Sequence, residues 1–256
     1  MLEIIQIPVL TDNYIYLLRD PVSEETAVVD PAEAHPVLAA LQEKNWRLNY
    51  IFNTHHHAHH VGGNLQLKRH TECRIVGAKA DRHRIPGIDI EVSHGDHIRL
   101  GDQDIGILAT PGHTSGHIVY YFAAAGALFC GDTLFSLGCG RLFEGSPAQM
   151  RQSLQFLKAL PASTLVYCAH EYTQANGRFA LSLEPENQQL QLRVNEVDLL
   201  RSQHRSTLPS TIGQELATNP FFRESSAEIR ARLGVGQEAA DLEVFTRIRQ
   251  MKDQFR

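Results

Sequence analysis

Between Phe52 and Gly63 the chain reads FNTHHHAHHVGG, so that five of its 14 histidines fall between His55 and His60. The run Tyr50–Asn53 before them has the aromatic and β-branched make-up of a strand, and a helical pattern resumes near Asn64. The histidines therefore belong on a strand-to-helix loop. On extended backbone His55 and His57 point the same way, and His60 rejoins them once the chain turns. Imidazole is a natural borderline-soft ligand for zinc and its neighbours. Gly62-Gly63 lets the backbone turn tightly beside them. A solvated histidine-rich loop is the plain alternative, and three further strand ends weigh against it. The segment TPGHTSGH (110–117) follows an apolar strand and turns at Pro111-Gly112 to present His113. Cys130-Gly131-Asp132-Thr133 places a carboxylate just past the strand Ala127–Cys130, and VYCAHEY (166–172) ends a strand in His170. A single His or Asp after a strand is usually a turn or cap residue. Four strand ends that each deliver a ligand type are how a two-metal hydrolytic site is built at one edge of a sheet sandwich.

Short apolar runs with strand character recur through the first two thirds of the chain. They are Asn13–Arg19, Ala27–Asp30, Tyr50–Asn53, Arg74–Gly77, Asp104–Ala109, Ile118–Phe122, Ala127–Cys130 and Thr164–Cys168. Helical spacing interleaves with them at Ala32–Lys44 and from Ser146-Pro147 to Leu160. Past His170 only helical patterns are evident, at Glu186–Arg201 and Asp241–Phe255. The expectation is an α/β domain over 1–172 and a smaller helical domain over 173–256. With 24 Lys+Arg against 29 Asp+Glu the chain is mildly acidic, unlike a protein that binds nucleic acid by neutralising phosphates. No apolar run nears the roughly 18–20 residues of a membrane span. The N-terminus lacks the basic n-region of a signal peptide. Cys73, Cys130, Cys139 and Cys168 are scattered, as free thiols in a reducing compartment would be. A monomer working in the cytoplasm is expected.

These motifs carry a family resemblance. The chain resembles the metallo-β-lactamase superfamily, whose pattern is THxHxDH, then a later His, an Asp and a last His. Within it, the chain is similar to the glyoxalase II family of hydroxyacylglutathione hydrolases. The similar segments are Asp12-Asn13-Tyr14, Val29-Asp30-Pro31, GCGRLFEG (138–145), His170-Glu171-Tyr172-Thr173, Asn219-Pro220-Phe221 and Lys252-Asp253-Gln254-Phe255. That resemblance implies an αββα sandwich followed by a helical substrate-binding domain. It implies two divalent metal ions, zinc first and iron or manganese as alternatives. One would be held by His55, His57 and His113, the other by His59, His60 and His170, with Asp132 bridging; Asp132 and position 59 would be catalytic. His56 and His117 are implied only as neighbours. Arg141, Phe143, Tyr172, Arg249 and Lys252 would bind glutathione, whose carboxylates suit Arg and Lys. By themselves Arg249 and Lys252 would read as a solvated basic helix face.

One position departs from the pattern: His59 stands where the family has Asp. Imidazole replaces the carboxylate as a ligand but is longer and neutral, so the site would carry one more positive charge. His59 can ligate with altered geometry, point away and weaken the second site, or ligate at a cost in turnover. The implied activity is hydrolysis of S-(2-hydroxyacyl)glutathione, such as S-D-lactoylglutathione, to glutathione and D-lactate by metal-bound hydroxide, a step in methylglyoxal detoxification. The alternatives are a weakened relative that binds metal or glutathione conjugates, and another metallo-hydrolase such as a lactonase or β-lactamase.

Overall fold

Alternation along the second strand organises the first half of the molecule. In the computed structural model, which describes residues 2–255, β1 (Glu3–Val9), β2 (Asn13–Arg19) and β3 (Thr26–Val29) pair antiparallel. After helix α1 (Ala34–Lys44), β4 (Leu48–Phe52) joins β3 in parallel. A helical turn α2 (Ala58–Val61) and helix α3 (Asn64–Thr71) lead to β5 (Arg74–Ala78) and β6 (Ile90–Val92), both parallel additions. Strand β2 is covered on both faces, so its residues from Asn13 to Leu18 are all buried. Ile15 and Leu17 point to one face, where Val37 and Leu41 of α1 and Leu67 of α3 join them in a core cluster with Ile51 and Ile75. Tyr16 points to the other and meets the Phe129 ring edge-on at 5.5 Å.

Phe129 belongs to a second sheet, in which β7 (His97–Leu100), β8 (Gln103–Ala109), β9 (Ile118–Phe122) and β10 (Ala127–Gly131) pair antiparallel in that order. Phe52 stacks on Tyr120 across the two sheets at 5.1 Å, and the Tyr120 hydroxyl donates to the Asn53 carbonyl. Helices on a sheet that in turn packs on a second sheet are the expected sandwich. Strand β1 is absent from the sequence reading: it is an edge strand of mostly half-exposed side chains that ends in Pro8-Val9, although Ile5, Ile7 and Val9 alternate and pack on the same core cluster.

The chain separates into two compact units. One runs up to Ala109 and includes Ser115–Gly131; the other comprises Thr110–Thr114 and everything from Asp132 onward. The second unit opens on a hairpin of β11 (Leu134–Phe135) and β12 (Gly138–Cys139). Helix α4 (Pro147–Lys158) starts, as its sequence suggests, at Ser146-Pro147, where Ser146 and Gln149 form a reciprocal capping box. Then come β13 (Leu165–Cys168), α5 (Thr173–Leu183), α6 (Gln188–Ser202), β14 (Ser210–Thr211), α7 (Ile212–Thr218), α8 (Ala227–Leu233) and α9 (Asp241–Gln254). Strand β14 corrects the expectation that no strand follows His170: it pairs antiparallel with β13, and two residues are too few to show a period. Among the described residues no helix is long and apolar enough to cross a membrane.

Candidate metal centre

The first unit gathers the histidine loop around one buried carboxylate. Past β4, His57 has extended backbone (φ −60°, ψ 142°) and caps the turn α2. Asp30, at the end of β3, is almost fully buried. It accepts from the Thr54 N–H at 2.8 Å, from the Thr54 hydroxyl at 2.6 Å and from His60 Nδ1 at 3.0 Å. Because the Thr54 hydroxyl gives its proton to Asp30, its oxygen accepts from His55 Nδ1 at 3.0 Å. Both rings are thereby turned so that Nε2 is the basic nitrogen. His55 Nε2 lies 3.1 Å from His57 Nδ1. The His59 ring lies 4.4 Å from that of His60 and 5.7 Å from that of His57, while Asn13 fixes its carbonyl. His117 is buried and stacks on His55 at 4.8 Å, and His56 bonds the buried Asp81 at 3.1 Å.

Gly62 and Gly63 serve a different purpose from the one the sequence suggests. Both have right-handed φ (−60° and −81°) that any residue adopts. What demands glycine is the 31–33 backbone: a Cβ at Gly62 would lie 2.4 Å from the Ala32 carbonyl oxygen, and one at Gly63 2.8 Å from that of Pro31. Close approach, and not a turn, sets these two residues.

The second unit carries the other ligand types. Asp132 is buried and offers each carboxylate oxygen to a different histidine: Oδ2 lies 3.3 Å from His113 Nε2 and Oδ1 3.4 Å from His170 Nε2. Two ligands about 2.0–2.1 Å from one tetrahedral ion stand about 3.3–3.4 Å apart. The Asp132 spacings match this and the His55–His57 spacing is close to it, so the donors present suit divalent metal. The cysteines do not compete. All four are buried, and burial pushes the Cys139 thiol up to about 11 and that of Cys168 up to about 12.

Two aromatic rings flank these histidines. Phe143, 61% exposed, stands edge-on to His113 at 5.2 Å, and Tyr172, 37% exposed, lies parallel to His170 at 4.7 Å. The basic residues of α9 differ from a solvated face. Arg249 is only 5% exposed and donates to the Cys139 carbonyl (2.9 Å) and to Asp253 (2.8 Å), with Phe221 against its guanidinium. Lys252 is half-buried, its ammonium 5.4 Å from the Phe179 ring. Burial first, and then Arg249 and Arg178, push its pKa down. The exposed Arg141 reaches Asp253 at 3.4 Å. Sequence reasoning placed Asp30 at the end of a strand and in a similar segment but assigned it no role at the site; a carboxylate at a strand end, followed by Pro, is the available signal.

A sheet sandwich whose strand ends carry histidines and aspartates defines a metallo-β-lactamase-superfamily protein, and the model of that superfamily matches residues 10–170. A second family model, hydroxyacylglutathione hydrolase C-terminus, matches residues 171–255. The hydroxyacylglutathione hydrolase of Methylococcus capsulatus is 59% identical over 100% of both chains, and that of Rhodospirillum rubrum 52% identical over 99% of both. The crystal structure of ETHE1 from Myxococcus xanthus superposes with a TM-score of 0.69 at 26% identity, over 97% of this chain and 90% of that one. This chain belongs to the hydroxyacylglutathione hydrolase family.

Proposed function

We propose that the chain hydrolyses S-(2-hydroxyacyl)glutathione thioesters, S-D-lactoylglutathione foremost, giving glutathione and a 2-hydroxy acid in the clearance of methylglyoxal. The observation that carries this is Asp132, with an imidazole nitrogen facing each of its oxygens. His55, His57 and His113 would hold one ion, His59, His60 and His170 the other, with Asp132 between them. Zinc suits this imidazole-rich set best. Ions bound there supply Lewis acidity and a lowered water pKa. The rest falls to side chains. Arg141 and Lys252, backed by Arg249, attract the glutathione carboxylates. Phe143 and Tyr172 wall the thioester. Asp132, the one carboxylate among these donors, accepts the hydrogen bond of the attacking water. As that oxygen adds to the carbonyl carbon its proton passes to Asp132, the C–S bond breaks, and the sulfur leaves as glutathione thiolate, which takes the proton from Asp132 to give the thiol. His59 replaces an anion with a neutral ring and lowers the turnover of this step. The division into a metal-binding domain over 1–172 and a glutathione-binding domain over 173–256 follows from the same assignment, as does action by a single chain in the cytoplasm.

The test is turnover of S-D-lactoylglutathione alongside a lactone, a β-lactam and a thioester lacking the glutathione moiety, with metal per chain measured on the same samples. Hydrolysis confined to the glutathione thioester, lost on chelation and restored by zinc, is expected. A metal-loaded protein that turns over lactoylglutathione no faster than buffer would sink the proposal.

A further inference from the structure

The hairpin Leu134–Cys139 has its backbone held by buried polar side chains from the helices of its own unit. Asn176 of α5 donates to the Ser136 carbonyl at 3.1 Å. The Leu137 N–H donates to Glu215 of α7 at 2.8 Å. Asn219, just past α7, donates to the carbonyls of Phe135 (3.2 Å) and Gly138 (3.0 Å) and to Glu215 (2.9 Å), and its own oxygen takes the Phe221 N–H. Asn176, Glu215 and Asn219 are each at least nine-tenths buried. Interior hydrogen bonds of this kind add little net stability, yet leaving one partner unmatched is costly, so they specify position. Leu137 is kept at φ 60°, a left-handed conformation that costs a non-glycine residue about 1–2 kcal/mol. Both ends of the hairpin reach proposed metal ligands. Asp132 lies two residues before it. Gly140, just after it, passes so near the Asp132 carbonyl oxygen that a Cβ would lie 2.0 Å away, and the next carbonyl, that of Arg141, accepts from His113 Nδ1 at 2.8 Å.

We propose that Asn176, Glu215 and Asn219 are positioning residues for metal binding: they set the hairpin, and through its two ends the Asp132 carboxylate and the His113 ring. The proposal rests on the assignment of Asp132 and His113 as ligands. Asn219→Ala and Asn176→Ala remove donors at separate points, while Glu215→Gln keeps an acceptor for the Leu137 N–H. Zinc affinity of the apoprotein, read by competition with a chromophoric chelator, is expected to fall about tenfold in the two alanine variants. It is expected to stay within about threefold of wild type in Glu215→Gln. Val197→Ala, which truncates a buried α6 side chain, controls for lost stability: it should lower the melting temperature and leave zinc affinity unchanged. Unchanged affinity in Asn176→Ala and in Asn219→Ala overturns the proposal, as does an equal fall in Val197→Ala. Should Asn219→Ala fail to fold, Asn176→Ala decides. Zinc affinity is read without substrate, so failure to hydrolyse the thioester counts against the assigned activity and not against the cradle.

Discussion

The Nδ1–H of His113 is donated to the backbone carbonyl of Arg141 at 2.8 Å. A carbonyl can only accept, so this bond fixes the tautomer and leaves Nε2, which faces Asp132, as the basic nitrogen. Arg141 thus orients a proposed ligand with its backbone, while its exposed guanidinium is free of that task and is the part proposed to meet substrate. The two roles separate experimentally, because a side-chain substitution leaves the carbonyl in place.

Arg141→Ala should accordingly raise KM for lactoylglutathione about tenfold, the worth of one charge-assisted hydrogen bond, with metal per chain unaltered. Steady-state kinetics and elemental analysis on one preparation check this. A parallel loss of metal would mean that the side chain also supports the site.

Asp30→Asn removes the anion that organises Thr54, His55 and His60. Metal affinity should fall about 10–100-fold, as for other partners of metal-ligating histidines. Isothermal titration of the apoprotein measures it, and an affinity equal to wild type would remove Asp30 from the account.

Restoring the family residue with His59→Asp returns one negative charge to the proposed second site. Occupancy of the second ion should rise towards one per chain, and turnover should rise on the order of tenfold. If neither metal content nor rate moves, His59 is not limiting.

Lys252 should give the enzyme an alkaline limb. Burial, reinforced by Arg249 and Arg178, lowers its pKa, so its cation is lost as pH rises towards a value below that of an ordinary lysine. KM should climb over that range, and Lys252→Arg, which keeps its charge, should flatten the climb. A KM profile that is the same in both proteins would contradict this.

Acid stability should depend on Asp20. Burial raises its pKa, but hydrogen bonds from Ser23, Asp102 and Gln103 overcome this and bring it down to about 2 from the ordinary 3.8. A depressed carboxyl contributes stability that is complete above the unfolded value and disappears as pH falls towards 2. Asp20→Asn should cost about 2 kcal/mol at neutral pH, and its melting temperature should converge with wild type near pH 2. A gap independent of pH would point to packing instead.

Much of the fold was legible because burial on one or both faces writes itself into short apolar runs. β2, β4, β9 and β10 all stand close to where those runs place them. Helices α5, α7 and α8 were not read, nor was β1. In Thr173–Leu183 small and polar residues such as Asn176 and Gly177 occupy buried positions, so the helix has no continuous apolar stripe to see. By its local pattern alone Arg249 reads as part of a solvated basic helix face. Its burial depends on Cys139 and Asp253 meeting it in space, which no local pattern reports.

The sequence by itself determined the kinds of donor and the strand ends that carry them, because ligand chemistry belongs to residue types and strand ends follow from local patterning. Only the tertiary structure decided which nitrogen each ring offers, why Gly62 and Gly63 are glycine, and what holds the Leu134–Cys139 hairpin. Each of these rests on a contact between segments far apart in the chain: Asp30 with His60, Pro31 with Gly63, Asn219 with Gly138. Such contacts exist only once packing has brought the segments together.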